Sequence, residues 1–302
     1  MTSRWRRNLS DATWLFALPL TAAVLPWRWG FALLRWVARR GHGYRAVVDA
    51  AWREARAWQP TLDETRFRHD LRLLLLVDRC DSYLTLLHGA RWWRRRVDID
   101  GDGLAALHAG LLLNSHWGAG HWIWRLLQAE GIAAHFVVRP AGIHDVGHGY
   151  VSRWYLGWRK WALRRVGCAG AIFTGGSRAT LEATLARGDS LLGMLDLPAA
   201  PSQRQVDVDW LGQRARLPVG LAALAVDAGV AISGICCGLD VASGRRRLVV
   251  HAIPPGLPVD AVVRRYAAQV TAQIAVQPAL WQLWPQAPLY WATPDGNPAP
   301  IG

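Results

Sequence analysis

Two histidines, His116 and His121, stand in a glycine-rich stretch where an imidazole could move a proton. An apolar run, 111–115, leads into His116, and Gly118 and Gly120 separate the two rings. Imidazole is the side chain whose ordinary pKa lies nearest neutrality, so it commonly serves as a general base. The residue types and their spacing therefore indicate removal of a proton from a substrate group.

The elements that must position these histidines form a strand–helix–strand pattern. The pattern predicts a buried strand at 111–115, a helix at 119–130 that Gly131 ends, and a second strand at 132–138. In open α/β sheets, reactive groups lie beyond the carboxyl ends of the strands, where His116 falls.

The rest of the chain alternates in the same way. Helices are predicted at 178–187, 219–228 and 259–276, and strands at 190–195, 230–238 and 246–252, with antiparallel pairing open for the last. We therefore predict one α/β domain with a mixed, mostly parallel sheet covered by helices on both faces.

Four short motifs occur in an order that resembles a known enzyme family. They are His116-Trp117-Gly118, Val138-Arg139-Pro140, the segment 192–198 with Asp196, and the segment 210–220. From about Arg91 onward, they resemble the lipid A biosynthesis acyltransferases, the lauroyl/myristoyl branch of the lysophospholipid acyltransferase superfamily. The resemblance implies a glycerolipid acyltransferase-like fold. It also implies transfer of a fatty acyl group from acyl carrier protein or acyl-coenzyme A to a hydroxyl of a lipid or lipid-like acceptor. Because the donor leaves as a thiol, no metal or redox cofactor is expected.

The resemblance also implies roles for single residues. His116 would be the base that takes the proton of the acceptor hydroxyl, and Trp117 belongs to the same substrate-binding stretch. Arg139 is expected near the acceptor's phosphate or the developing oxyanion. The backbone N–H groups of Gly118 to Gly120, at a predicted helix N-terminus, could bind the same charge.

The departure from this family lies at His121, where the family carries Asp or Glu. A second histidine can orient the first, but it supplies no negative charge. Making the acid of a Ser-His-Asp triad neutral lowers the rate by roughly 10⁴-fold. We therefore expect that another carboxylate replaces the acid, with Asp196 the first candidate and Asp145 the second. Otherwise the chain is a catalytically impaired relative that binds lipid or acyl carrier protein.

Other motifs are weaker. Gly176-Ser177 loosely resembles the nucleophile elbow of a serine hydrolase, but the second glycine is missing and Ser177 is better explained as a helix N-cap. His144 and His148 have the i, i+4 spacing of metal ligands, yet the glycines around them argue against a helix, and no metal site is predicted. The four cysteines form no Cys-x-x-Cys pair and are expected to be reduced core thiols.

The first 40 residues predict a membrane-anchoring segment ahead of a catalytic domain at 41–302. An uncharged stretch, 12–27, is flanked by arginines and falls short of the roughly 20 residues that span a bilayer. A cleaved signal peptide and an ordinary buried helix are alternatives. The flanking arginines favour a re-entrant or in-plane anchor on the cytoplasmic face of a membrane. The family resemblance implies the same kind of anchor, on a bacterial inner membrane.

The chain carries a formal net charge of +13 and 19 tryptophans. Nucleic acid is not expected as a partner, because no helix-turn-helix, zinc-finger or RRM motif accompanies this charge. A membrane surface with anionic headgroups and the acidic acyl carrier protein are expected partners. Trp154, Trp158 and Trp161 repeat at helical spacing, which indicates a helix face at a membrane interface, along an acyl groove or in the core.

Overall fold

The computed structural model describes residues 2–41, 43–139, 150–198 and 203–291. In these ranges the strands, in chain order, are β1 Val97–Gly101, β2 Gly110–Asn114, β3 Ala134–Val138, β4 Cys168–Phe173, β5 Ser190–Met194, β6 Gln205–Trp210, β7 Gln213–Pro218, β8 Ala231–Leu239 and β9 Arg246–Ile253. The α-helices are α1 Thr2–Ala12, α2 Leu18–Val24, α3 Trp27–Arg39, α4 Arg45–Trp58, α5 Glu64–Leu87, α6 Ala90–Arg94, α7 Ile123–Ala129, α8 Tyr150–Arg165, α9 Arg178–Ala186, α10 Gly220–Asp227 and α11 Val259–Val276.

One sheet organises the molecule, with seven strands in the order β1-β9-β8-β2-β5-β3-β4. Strands β8 and β9 are antiparallel, and the other neighbouring pairs are parallel. Strands β6 and β7 form a separate antiparallel hairpin. The predicted α/β class with a mixed, mostly parallel sheet is therefore confirmed.

Two glycines allow helices to approach one face of this sheet closely. Gly193 of β5 and Gly234 of β8 both pair with Leu113 of β2, so the three positions share a face. A Cβ atom at Gly193 would lie 2.2 Å from Leu221 of α10, and one at Gly234 would lie 2.8 Å from a ring carbon of Tyr266 of α11. A larger residue at either position would require the facing side chain of α10 or α11 to move.

The opposite face of the sheet meets α7 and α8 across a cavity. Leu192 of β5 lines this cavity together with Trp124 of α7 and Leu163 of α8. Helices therefore lie along both faces. The helix predicted at 119–130 is shorter than expected and begins at Ile123. Residues just before it are drawn into bridges with distant strands, which a local pattern does not reveal.

The N-terminal helices pack on α5. Helices α2 and α3 both contact it, with Ala22, Leu34 and Ala38 fully buried. Beneath them, Arg246 of β9 forms a buried ion pair with Asp81 of α5. Among the residues that the structure describes, no helix is long and apolar enough to cross a membrane. The division at residue 40 stays a prediction.

The tryptophan stripe of α8 divides between two environments. Trp158 faces inward and stacks on Tyr83 with ring centres 4.4 Å apart. Trp154 and Trp161 are 59% and 48% exposed. The helical spacing predicted a shared face, but the stripe is wide enough that one edge reaches the core while the other edge stays at the surface.

Candidate active site

His116 and Asp196 meet because β2 and β5 end side by side. Asn114 pairs with Met194 at the ends of these parallel strands, and each of the two site residues lies two positions further on. The Nδ1 atom of His116 lies 2.9 Å from Asp196 Oδ1, and the backbone N–H of His116 donates to Oδ2 at 2.7 Å. The structure thus brings the expected base together with the first candidate for the missing acid.

The Asp196 carboxylate is fully buried and well supplied with donors. In addition to the two His116 groups, Trp281 Nε1 donates to it at 3.0 Å. The hydroxyl of Tyr290 donates to the Asp196 backbone carbonyl at 2.7 Å. Because an ionised carboxylate only accepts hydrogen bonds, His116 Nδ1 must carry the proton here. The Nε2 atom is therefore the nitrogen left to take a proton from a substrate.

Opposing effects act on the pKa of His116. Burial is the largest single effect and lowers it, but the charge of Asp196, its hydrogen bond and the charge of Asp78 together raise it by more. The resulting pKa lies above the ordinary value of 6.5. Such a ring holds an abstracted proton firmly, as a general base must do while the new bond forms.

His116 opens into a cavity of about 340 Å³ between the sheet and helices α7 and α8. Its volume lies at the lower end of the range typical of small-molecule sites. One part of the lining is apolar and consists of Ile123, Trp124, Phe136, Leu156, Leu163, Leu192 and Met194. The other part carries the charged residues Asp78, Arg79, Arg159 and Lys160. The cavity can therefore hold an apolar chain beside a polar, anionic group.

His121 lines the same cavity but does not orient the base. Its side chain is 4% exposed, and neither ring nitrogen has a hydrogen-bond partner in the part of the chain that the structure describes. Burial and the charge of Arg159 lower the pKa of His121 to about 3, against a smaller opposite effect of Asp78. The ring is therefore neutral at ordinary pH.

The glycines after His116 serve the fold. Gly118 has φ +87°, and a Cβ atom there would lie 1.8 Å from the backbone oxygen of Cys237. The N–H of Gly118 donates to Leu280 O, and that of Ala119 donates to Cys237 O, both at 2.8 Å. Although Gly118 and Gly120 line the cavity, two of the amides predicted to bind an anion are already used. The expected helix N-terminus at residue 119 is also absent.

Other predicted site residues lie apart from this cavity. Trp117 is buried outside its lining, and its Nε1 donates to Gln277 O at 3.2 Å. Arg139 lines a second cavity of about 400 Å³, which shares Met194 with the first. Asp145, like the two histidines with i, i+4 spacing, lies outside the described residues.

The sequence did not reveal an ion pair in the cavity wall. Arg159 of α8 donates two hydrogen bonds of 2.9 Å to Asp78 of α5, and Arg79 donates a third at 2.5 Å. Burial alone would raise the pKa of Asp78, but the two guanidinium groups lower it to about 2. The sequence feature that could have indicated this ion pair is the charged pair Asp78-Arg79, which directly follows the leucine-rich run 71–77.

The chemistry open to this arrangement is proton transfer beside an apolar slot. A carboxylate-oriented imidazole faces a cavity lined by apolar and cationic side chains, at the carboxyl ends of parallel strands. Among known proteins, no family model matches the chain and no curated protein does.

Proposed function

We propose that the protein is a membrane-associated O-acyltransferase of the lipid A acyltransferase type. It moves a fatty acyl group from acyl carrier protein or acyl-coenzyme A to a hydroxyl of a lipid or lipid-like acceptor. The observation that carries this proposal is the His116–Asp196 pair at the mouth of an amphipathic cavity. Asp196 supplies the negative charge that His121 cannot supply, so the departure at position 121 does not by itself remove the base.

The proposed step is addition and elimination at a thioester carbonyl. His116 Nε2 takes the hydroxyl proton while the oxygen bonds to the carbonyl carbon, and the carbonyl π electrons move to its oxygen. As the intermediate collapses, the C–S bond breaks and the imidazolium returns its proton to the thiolate. Asp196 stays ionised and stabilises the imidazolium. The step as written consumes neither a metal nor a redox cofactor.

The apolar and the cationic residues of the cavity lining match the two ends of such a substrate. Trp124 and Phe136 meet edge to face with ring centres 5.9 Å apart and form part of the apolar wall. Each methylene buried against such a wall contributes about 0.8 kcal/mol. The same lining also contains three cations, Arg79, Arg159 and Lys160, which outnumber Asp78 and suit a phosphate of the donor or acceptor.

Exposed apolar side chains support attachment to a membrane surface. Helices α1 and α8 are joined by a 2.6 Å hydrogen bond from Ser152 to Asp11. Together they carry what we call the α1/α8 surface, which consists of Trp5, Leu9, Tyr150 and Trp154, all more than half exposed. Aromatic side chains of this kind favour the membrane–water interface. We place this surface, with the segment 1–40, in the plane of the cytoplasmic face of a bacterial inner membrane.

Replacing Trp5 and Trp154 together by Ser should weaken binding to vesicles that contain anionic phospholipid. Burial of a large apolar side chain contributes about 1.5–3 kcal/mol, so the double variant should lose at least about tenfold in partitioning, as measured by co-sedimentation. Val276→Ser is the control, because Val276 is 71% exposed at the end of α11. Equal binding by the double variant and this control would argue against the α1/α8 surface.

The proposed activity is tested with radiolabelled acyl-acyl carrier protein or acyl-coenzyme A and total bacterial membrane lipid. The wild-type chain should label a lipid, and His116→Ala should lower the rate by about 10²–10⁴-fold. His108→Ala is the control, since His108 is exposed and lies outside the cavity lining. Identical blanks for wild type and His116→Ala would favour a non-enzymatic lipid or carrier binder, and label released as free fatty acid would favour a hydrolase.

A further inference from the structure

We infer that His121 is a catalytic residue of the proposed transfer, whose ring N–H donates to the thioester carbonyl oxygen as that oxygen becomes negative. The inference rests on the proposed function and adds a second role at the same site. His116 moves the proton, and His121 stabilises the oxyanion. Three observations support this division.

The first observation is that His121 lacks partners. Both of its ring nitrogens are buried and unbonded within the described ranges, and the residue belongs to the lining of the cavity into which His116 opens. A buried polar group without a hydrogen bond destabilises the fold, and each such group in a native protein calls for an explanation. A polar atom of a bound substrate would complete the hydrogen bonding of this ring.

The second observation is that the fold already uses several neighbouring donors. The amides of Gly118 and Ala119 donate to carbonyls of distant segments. Gln282 Nε2 donates to Gly118 O at 2.6 Å, and Arg159 donates from both terminal nitrogens to Asp78. An oxyanion beside His116 would therefore depend on the remaining donors of the lining, and the His121 ring is a buried side-chain donor among them that the fold does not use.

The third observation is electrostatic. Arg159 acts on His121 strongly enough to help burial keep the ring neutral. The positive potential of Arg159 disfavours a second proton on the His121 ring. The same potential stabilises negative charge on an oxygen that accepts a hydrogen bond from that ring. A neutral imidazole retains one N–H, and in a site that lowers its pKa it can polarise a carbonyl without losing that proton.

A matched pair of variants tests the inference. His121→Leu removes the donor, and His121→Gln keeps an N–H in a side chain of similar size. The readout is release of thiol from dodecanoyl-coenzyme A and from dodecanoyl-acyl carrier protein, with bacterial phospholipid vesicles as acceptor. We expect His121→Leu to lower kcat by about 10²–10³-fold with little change in KM, and His121→Gln to be at least about tenfold faster than His121→Leu.

A thermal melt of the same proteins gives a readout that does not depend on activity. His121→Leu should raise Tm, because it removes two unpaired buried nitrogens, whereas a residue needed only for folding would lower it. Wild-type rates in His121→Leu, or equal rates for the Leu and Gln variants, would overturn the inference. So would full activity in His121→Glu, because that result would assign an orienting role to position 121.

His116→Ala separates the two proposals. If wild type releases thiol no faster than His116→Ala from either donor, the proposed function fails and the inference fails with it. If His116→Ala is slow while His121→Leu is as fast as wild type, the acyltransferase proposal stands and the oxyanion role of His121 falls alone.

Discussion

Asp196→Asn will lower kcat for acyl transfer by roughly 10⁴-fold while changing KM little. Asp196 Oδ1 faces His116 Nδ1, and Oδ2 accepts hydrogen bonds from the His116 backbone N–H and from Trp281 Nε1. An Asn at this position presents one oxygen and one NH₂ group instead of two acceptor oxygens. If the NH₂ group faces His116 Nδ1, the ring must carry its proton on Nε2, and that nitrogen can no longer accept one. Steady-state rates with saturating acyl donor measure the loss.

The pH dependence gives the same prediction a second readout. Since the pKa of His116 is raised and only the unprotonated ring is a base, kcat/KM of the wild type should fall on acidification with a midpoint above 6.5. In Asp196→Asn the negative charge is gone but the burial remains, so the midpoint should move down. Asp189→Asn is the control, because Asp189 contacts His135 at 3.3 Å outside the cavity lining. An unshifted profile in Asp196→Asn would show that Asp196 does not orient the base.

Arg246→Met will lower the free energy of unfolding by about 3–5 kcal/mol. Arg246 and Asp81 are both fully buried, and the Arg246 Nε atom donates to Asp81 Oδ2 at 3.1 Å. The guanidinium also lies 4.4 Å from the ring centre of Trp27 and 5.6 Å from that of Trp93. Removing it leaves a carboxylate buried without its counter-charge. Denaturant unfolding followed by tryptophan fluorescence measures the loss.

The neighbouring residue provides a matched control for this prediction. Arg245 forms an ion pair with Asp98, and the two side chains are 42% and 51% exposed. Solvent screens such a pair, so Arg245→Met should cost at most about 1 kcal/mol. The double variant Asp81→Leu/Arg246→Met should recover much of the stability lost in Arg246→Met. Similar losses for Arg245→Met and Arg246→Met would contradict the importance of burial.

Elements with a regular pattern could be predicted from the sequence. The helix expected at 178–187 is Arg178–Ala186, and the one expected at 259–276 has the same bounds in the structure. His116 and Asp196 each follow an apolar strand, and the parallel pairing of those strands accounts for their contact. The site could be anticipated because local strand patterns and the rule for strand ends agree.

Contacts between distant segments left no such signal. Trp117 and Gly118 form bridges to Trp281 and Cys237, more than 100 residues away in the chain, and these bridges delay the helix expected at residue 119. The ion pair of Asp78 and Arg159 joins two residues that are 81 positions apart, one on α5 and one on α8. Neither helical nor strand periodicity encodes which residues across such separations meet. The sequence therefore predicts substrate contact for Trp117, whereas the structure places its side chain in the core.

The hydrogen bond from Trp281 makes the proposed catalysis depend on the integrity of the segment around Trp281, which does not itself contribute the base. Trp281 lies 85 residues beyond Asp196 in the chain. Tyr290, nine residues further on, donates its hydroxyl hydrogen bond to the Asp196 backbone carbonyl. Proteins open locally at lower free energy than they unfold globally. If mild heat or denaturant detached the segment around Trp281, the Asp196 carboxylate would lose a hydrogen-bond donor. His116 would then be less well oriented as a base, although the sheet that contains β2 and β5 remained folded.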